Sequence, residues 1–362
     1  MQEFLNSRGI RNEIIDYDFS EKIWDPRKML LPERTEYKKE QARIEYLSRI
    51  NPFFEDGMKK RRESMKAFET GFLHLSDPVH SLRQAGELAD RRYTAVVCGS
   101  DQIWLPSHII EKYYTLSFVP KGVRRVAYAP SFGVESMPGF LKGDCRRFMK
   151  KFDALSVRED TGAKIVEDIT GAGCFVAADP TMLLEPEEWE SSMGSEWRAS
   201  PKRYVLAYFL GDSEGHRKAA KEAAKKRDMD LSVMPSASVT AIMDEFYADR
   251  FQYDISPEHF VSFIKNADLV ITDSFHAAVF SIIFKKQFYC FERFRDDDSI
   301  STNSRLQSLL RSVGLEDRLL KWDESAIPKD RYIDHIKVEK TVKKIRKRSA
   351  DYLIDAIGGA DA

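Results

Sequence analysis

Residues 268–280 read DLVITDSFHAAVF. The run from Asp268 to Thr272 is apolar and strand-like, a polar turn follows at Asp273-Ser274, and an apolar helix begins at about Phe275. That order places His276 in the first turn of a helix, at the carboxyl end of a strand. In open α/β sheets this is where ligands bind. The free N–H groups of a first turn attract phosphate or carboxylate. A histidine among them can add a charge-assisted bond or move a proton near neutral pH. The alternative is that Asp273 or Ser274 only caps the helix and that His276 is a packed or hydrogen-bonded side chain.

Working outward from this stretch, similar runs recur along the chain. Arg11–Tyr17 (RNEIIDY), Tyr93–Cys98, Arg125–Ala129, Asp153–Val157 and Cys174–Ala178 read as one series of strands. Tyr204–Leu210, Leu231–Met234, Asp268–Thr272 and Gln287–Phe291 read as a second. Short Val, Ile, Ala and Tyr runs bounded by Gly, Pro or charge fit parallel strands covered on both faces. Helical patterns lie between them. In one, over Ser256–Asn266, Ser256 can cap and Pro257 occupies the first turn. Strands alternating with helices in two blocks argue for two α/β domains. The polar, turn-rich stretch Pro186–Pro201, with Met193-Gly194-Ser195, reads as the linker.

Composition narrows the function. The 362 residues are 43% hydrophobic and 32% charged, which fits a folded chain of about two domains. Lys and Arg number 57 against 58 Asp and Glu, a formal net charge of −1, so a dedicated nucleic-acid binder is excluded. No apolar run approaches the roughly 20 residues that span a bilayer. Met1–Asn6 shows no basic segment leading into an apolar core, so no signal peptide is expected. The cysteines Cys98, Cys145, Cys174 and Cys290 form no C-x-x-C pair, which excludes a zinc ribbon. Disulfides are not expected either, and Cys98 and Cys290 read as small buried hydrophobes. There is no phosphate-binding loop and no nucleophile elbow, and no histidine pair or D-x-D offers an evident metal site. Gly171-Ala172-Gly173 precedes a strand rather than opening a helix, so it is not a dinucleotide fingerprint.

Two stretches interrupt the alternation. Glu33–Glu69 is long, charged and helix-favouring, with Lys59-Lys60-Arg61-Arg62 in it. It reads as a solvated helical insertion; a surface for anionic lipid or polymer is the sharper alternative. In Lys337–Ile357, Val338, Val342, Ile345, Tyr352 and Leu353 share a helical face opposite Lys340, Lys343, Lys344, Arg346, Lys347 and Arg348. That spacing favours docking on the protein over membrane binding.

Four further motifs end strands. In Cys98–Pro106, CGSDQIWLP, Asp101 and Gln102 emerge beside Trp104, which suits a sugar-hydroxyl site; the alternative is a turn with Trp104 in the core. In LSVRED, Arg158 can bind phosphate or carboxylate with its fork, or pair with Glu159 or Asp160. AYAPSFG opens a Pro-Ser-Phe-Gly loop carrying Ser131, and AADPT ends a strand at Asp179-Pro180. Each is weak alone; their shared location at strand ends is the signal.

In order, VVCGSDQIWLP, RVAYAPSFG, LSVREDTG, VAADPTMLL and DLVITDSFHAAVF resemble the polysaccharide pyruvyl transferase family, as do KKQFYCFER and NSRLQSLLRSVGL over Asn303–Leu315. The resemblance covers roughly residues 1–320. It implies an α/β fold of two Rossmann-like domains facing a cleft, as in the GT-B glycosyltransferases. The domains expected are 1–186 with the insertion at about 33–75, 187–336 carrying the histidine, and a helix and tail over 337–362. The implied activity moves pyruvate from phosphoenolpyruvate to a surface polysaccharide or its precursor as a ketal, releasing phosphate. Phosphoenolpyruvate is then a co-substrate, with no cofactor and no metal.

The resemblance also implies site roles. His276 and Asp101 are the catalytic candidates. Arg158, Ser274, His276, and Arg293 or Arg305 are candidates for the donor. Asp101, Gln102, Trp104 and Ser131 are candidates for the acceptor, a sugar either free or lipid-linked; Asp179 reads as structural. A cytoplasmic protein is expected, with at most peripheral contact at the inner face of the membrane, contact with other polysaccharide enzymes, and no nucleic-acid partner. The rival readings are a nucleotide-sugar glycosyltransferase and a catalytically silent assembly protein. Relatives begin with an apolar strand and an Asn-Tyr-Gly-like turn. Here Met1, Phe4 and Leu5 have helical spacing and Gly9 is a helix stop, so the first domain is expected to lack its first strand.

Overall fold

Among the described residues, the apolar runs form ten parallel strands in two sheets. The computed structural model describes residues 1–18, 23–193, 202–253, 255–295, 298, 301–329 and 331–358. In the first sheet β1 (Ala95–Cys98), β2 (Arg124–Ala127), β3 (Ala154–Val157) and β4 (Phe175–Val176) lie in chain order. In the second, β5 (Tyr204–Tyr208), β6 (Asp230–Val233), β7 (Arg250–Phe251), β8 (Leu269–Thr272), β9 (Gln287–Phe291) and β10 (Leu319–Leu320) are ordered β10-β9-β8-β5-β6-β7. Every pairing is parallel. All four residues of β8 and the first four of β5 are buried, so the centre of the second sheet is covered on both faces.

That strand order fixes where a ligand can sit. From β5 the chain adds β6 and β7 outward on one side; it then returns to β8 and adds β9 and β10 on the other. β5 and β8 therefore lead away in opposite directions, and a crevice opens beyond their carboxyl ends. Residues 209–211 and 273–276 follow those two ends.

The chain divides into two compact units. One comprises Met1–Arg34, Leu73–Leu184 and Lys340–Ala362; the other comprises Thr35–Phe72 and Glu185–Glu339. The expected insertion is present as two helices, Pro32–Ile50 and Pro52–Phe72, but Thr35–Phe72 belongs with the second sheet rather than the first. Phe54 and Met58 pack on Ala241, with Ile44, Leu47 and Tyr253 around them. Gly57 lies flat on the Tyr253 ring, where an added Cβ would come within 2.4 Å of ring carbons. The hairpin is thus held by a small apolar core of its own.

Three further expectations change. RNEIIDY forms no regular strand: only Ile14 pairs with Leu75 and Tyr17 with Val79, as isolated bridges. Pro78, just before Val79, has no N–H to give, so a continuous ladder cannot form there. Part of the proposed linker is the helix Pro186–Ser192, started by a capping box between Glu185 and Glu188; residues 194–201, with Gly194 and Ser195, lie outside the described residues. The last helix, His335–Ile357, buries Val342 and Leu353 in the first unit. Arg346, expected on its polar face, is buried and donates to the Met182 carbonyl at 2.7 Å. Ser349 accepts from the Ala178 amide at 2.9 Å.

Cys98, Cys145 and Cys290 are buried and free, and burial pushes their thiols up, Cys145 to about 12. No helix among the described residues is long and apolar enough to cross a membrane.

Candidate functional site

At the end of β8, Thr272 turns the chain and Ser274 caps the Phe275–Ile283 helix, its hydroxyl accepting from the Ala277 amide at 3.4 Å. The β-branched residues Val270, Ile271 and Thr272 suit a strand, and the capping serine opens the helix that follows. Asp273 is buried and reaches across to β5. Its two oxygens accept from the Leu210 amide at 2.7 Å and the Gly211 amide at 2.8 Å. Gly211 is needed there: a Cβ would stand 2.9 Å from the Asp273 carboxylate and 3.0 Å from Arg293 Cγ. The carboxylate therefore ties the two strand ends together.

Arg293 follows β9. Its Nη2 donates to the Asp273 carbonyl at 3.0 Å, and its Nε lies 3.8 Å from the Asp273 carboxylate. Asn303 fixes the backbone beneath it, accepting from the Arg293 and Phe294 amides at 3.0 and 3.2 Å. The Arg293 side chain is 19% exposed, and its buried Nε has no hydrogen-bond partner. Arg305 is buried and held by Thr302, to whose hydroxyl it donates at 2.9 Å. His276 is half-buried on the first turn of its helix, edge-on to Phe275. In the second unit, then, Ser274, His276 and Arg293 gather where the strand order opens the sheet.

The first unit carries a different cluster. After β1, Gly99 runs against the Tyr128 carbonyl with φ +132°; a Cβ there would meet that oxygen at 1.8 Å. Asp101 follows with φ 67°. The Arg158 guanidinium, only 1% exposed, donates to Asp179 at 2.9 Å and to Asp101 at 3.1 Å, with Glu159 at 3.8 Å. Burial works against its charge, and Asp179, Asp101 and Glu159 more than restore it, so the guanidinium is held above its usual value. The expectation that Arg158 grips the donor therefore changes: its fork is taken up by carboxylates. Asp179 also accepts from Thr181 and Ser100, which makes it the cluster's structural acid.

Of this cluster Asp101 reaches solvent, with its side chain 59% exposed. Gln102 is half-buried beside it and packs over Gly133. Trp104 is corrected to core. It is fully buried among Phe132, Phe148 and Phe152, and its indole donates to the Tyr114 carbonyl at 3.0 Å. A buried indole has no face left for a sugar. Ser131 is also buried, accepting from the Gly133 amide at 3.1 Å.

The sequence marks Asp273 only as a candidate helix cap; its reach to β5 depends on residues 63 apart in sequence lying side by side, which no local pattern shows.

The family model described as polysaccharide pyruvyl transferase matches residues 1–293, ending at Arg293 and short of the 303–315 stretch. No curated protein matches the chain. Among solved structures, the chain is similar to a UDP-GlcNAc 2-epimerase from Methanocaldococcus jannaschii at 13% identity and TM-score 0.40, covering 78% of this chain and 88% of that one. The Neisseria meningitidis UDP-GlcNAc 2-epimerase gives 11% and 0.40, with 80% and 90% covered. The ADP-heptose heptosyltransferase II of E. coli gives 12% and 0.37, with 80% and 85% covered. The family match spans most of the chain, from the first unit through the Asp273, His276 and Arg293 site, and on that ground the chain belongs to the polysaccharide pyruvyl transferase family.

Proposed function

We propose that this chain transfers the pyruvate unit of phosphoenolpyruvate to two hydroxyls of a sugar in a surface polysaccharide or its precursor, forming a ketal and releasing phosphate. The observation that carries this reading is the cationic end of the second sheet. Arg293 and the start of the His276 helix lie together there, and the nearby acid, Asp273, already accepts from two backbone amides. A donor with two anionic groups meets donors of hydrogen bonds there rather than an opposing charge.

Phosphoenolpyruvate is an enol phosphate. Protonation of its methylene carbon makes a methyl group and leaves C2 electrophilic. One sugar hydroxyl forms a C–O bond to C2, the C2–O bond to phosphate breaks, and the second hydroxyl closes the ketal. Of the two hydroxyl protons, one balances the methyl group and the other leaves on phosphate. His276 is the residue assigned to proton delivery at the methylene, and Arg293 to the departing phosphate. Ser274 orders the helix start that supports them. Asp101 and Gln102, on the first unit, are proposed separately as sugar-binding residues, with buried Arg158 orienting Asp101.

The test is phosphate release from phosphoenolpyruvate with and without free and lipid-linked glycan acceptors, with the product examined for a ketal by mass spectrometry. Acceptor-dependent release with ketal formation is expected. Transfer from a nucleotide sugar, with none from phosphoenolpyruvate, would reject the reading.

A further inference from the structure

The basic run Lys59-Lys60-Arg61-Arg62 does not act as one patch. Successive side chains on a helix point about 100° apart. Lys60 pairs with Asp56 at 2.7 Å and Arg62 with Glu55 at 3.0 Å, all of them on the exposed surface. Arg61 turns inward, and its Nη1 donates to the Pro235 carbonyl at 2.6 Å. Pro235 lies just past β6, which neighbours β5. A helix far away in sequence therefore delivers a guanidinium to the carboxyl edge of the second sheet.

Tyr208, the last residue of β5, stands beside Arg61, with Phe260 edge-on against its ring at 5.2 Å. Burial raises the Tyr208 phenol above its usual value; Arg61 and, further off, Arg293 oppose that rise, while Asp273 adds to it. Tyr208 pairs in register with Thr272, the residue before Asp273, to whose carbonyl Arg293 donates. The acid among them, Asp273, accepts from the Leu210 and Gly211 amides. A guanidinium carries five N–H donors, so the bond from Arg61 to Pro235 leaves others to offer.

This inference rests on the pyruvyl-transfer reading. Phosphoenolpyruvate carries a phosphate and a carboxylate on one carbon, and a single arginine fork grips one such group at a time. We propose that Arg61, with the Tyr208 hydroxyl, holds the donor carboxylate while Arg293 and the His276 helix hold its phosphate. The hairpin Thr35–Phe72 is then a working part of the donor site, and its apolar seat on Ala241 and Tyr253 sets the reach of Arg61.

The experiment is calorimetric titration of the full chain with phosphoenolpyruvate and, separately, with inorganic phosphate, for wild type, Arg61→Ala, Arg61→Gln and Lys60→Ala. Glutamine keeps a donor for the Pro235 carbonyl and removes the charge, which guards against an alanine variant that fails to fold. Both Arg61 variants should lose about tenfold or more in affinity for phosphoenolpyruvate, as losing a charged hydrogen bond does. They should keep their affinity for inorganic phosphate, and in turnover should show a raised donor KM with a smaller change in kcat. Lys60→Ala should match wild type. If Arg61→Gln folds and binds phosphoenolpyruvate like wild type, or loses inorganic phosphate to the same degree, the assignment is overturned. If wild type itself does not bind phosphoenolpyruvate, the pyruvyl-transfer reading falls, and this assignment with it.

Discussion

The two sheets end in arginine clusters of opposite electrostatic character. In the first unit, buried Arg158 is surrounded by Asp101, Asp179 and Glu159. In the second, Arg293 and Arg61 donate to backbone carbonyls, and the buried Asp273 beside Arg293 is engaged by amides. Three acids around one arginine make a closed, anionic brace that fixes a loop. On the proposed reading, two arginines beside an acid held by amides leave positive charge for a ligand. The same residue type at the same kind of place, a strand's carboxyl end, then serves folding in one unit and is proposed for anion binding in the other. What separates the roles is how many carboxylates face the guanidinium.

The sharpest way to break this comparison is to remove each arginine in turn. Arg158→Ala leaves two buried acids uncompensated and should cost about 3–5 kcal/mol of stability, read as a lowered melting temperature. Arg293→Ala loses a bond to one carbonyl and a 3.8 Å ion pair to Asp273, whose oxygens keep their two amide donors, so it should melt near wild type yet lose donor binding. If Arg158→Ala melted normally while Arg293→Ala unfolded, the assigned roles would be reversed. His276→Ala should likewise stay folded and lose about 10²–10⁴-fold in turnover; near wild-type turnover would remove it from the proton path.

The two glycines that let the clusters form offer a smaller test. Gly99→Ala combines a disallowed φ with a backbone clash and should destabilise by at least about 1–3 kcal/mol. Gly211→Ala brings a Cβ to 2.9 Å from the Asp273 carboxylate and 3.0 Å from Arg293 Cγ, inside contact distance, so those side chains must shift and donor affinity should fall more than the melting temperature. Equal losses of stability in both variants would blur the distinction between brace and binding edge.

The smallest effect concerns pH. His216 stacks on Phe291, and its Nε2 lies 2.9 Å from the Trp322 carbonyl. Burial holds its pKa below the usual value. With the folded pKa depressed, the unfolded chain binds the extra proton first. The contribution is then complete above about pH 6.5 and is lost as pH falls below it. His216→Phe should flatten that part of the stability profile, as followed by chemical denaturation at pH 5 to 7. A slope unchanged by the substitution would place the titration elsewhere.

The sheets were legible because short apolar runs between charged punctuation leave few alternatives; Gln287–Phe291 is a strand over the very residues expected, and Ser256 caps the helix that Pro257 opens. The two-residue strands β7 and β10 were not, since two residues carry no periodicity. RNEIIDY looked like a strand, but its partner segment contains Pro78, a fact the run itself does not contain. The position of His276 could be read from its own strand and turn. The saturation of Arg158 and the inward turn of Arg61 depend on residues far apart in sequence, Asp179 and Pro235, and nothing local announces them.

The account's central claim is that the second sheet's carboxyl edge receives phosphoenolpyruvate. Thermal melting of the full chain in a titration of phosphoenolpyruvate, run beside UDP-sugars, addresses it most directly. A ligand at a hundred times its dissociation constant adds about 2.7 kcal/mol of stability. The account predicts a saturable rise in melting temperature with phosphoenolpyruvate that is lost in Arg293→Ala and kept in Lys60→Ala. A rise with UDP-sugars alone would contradict it.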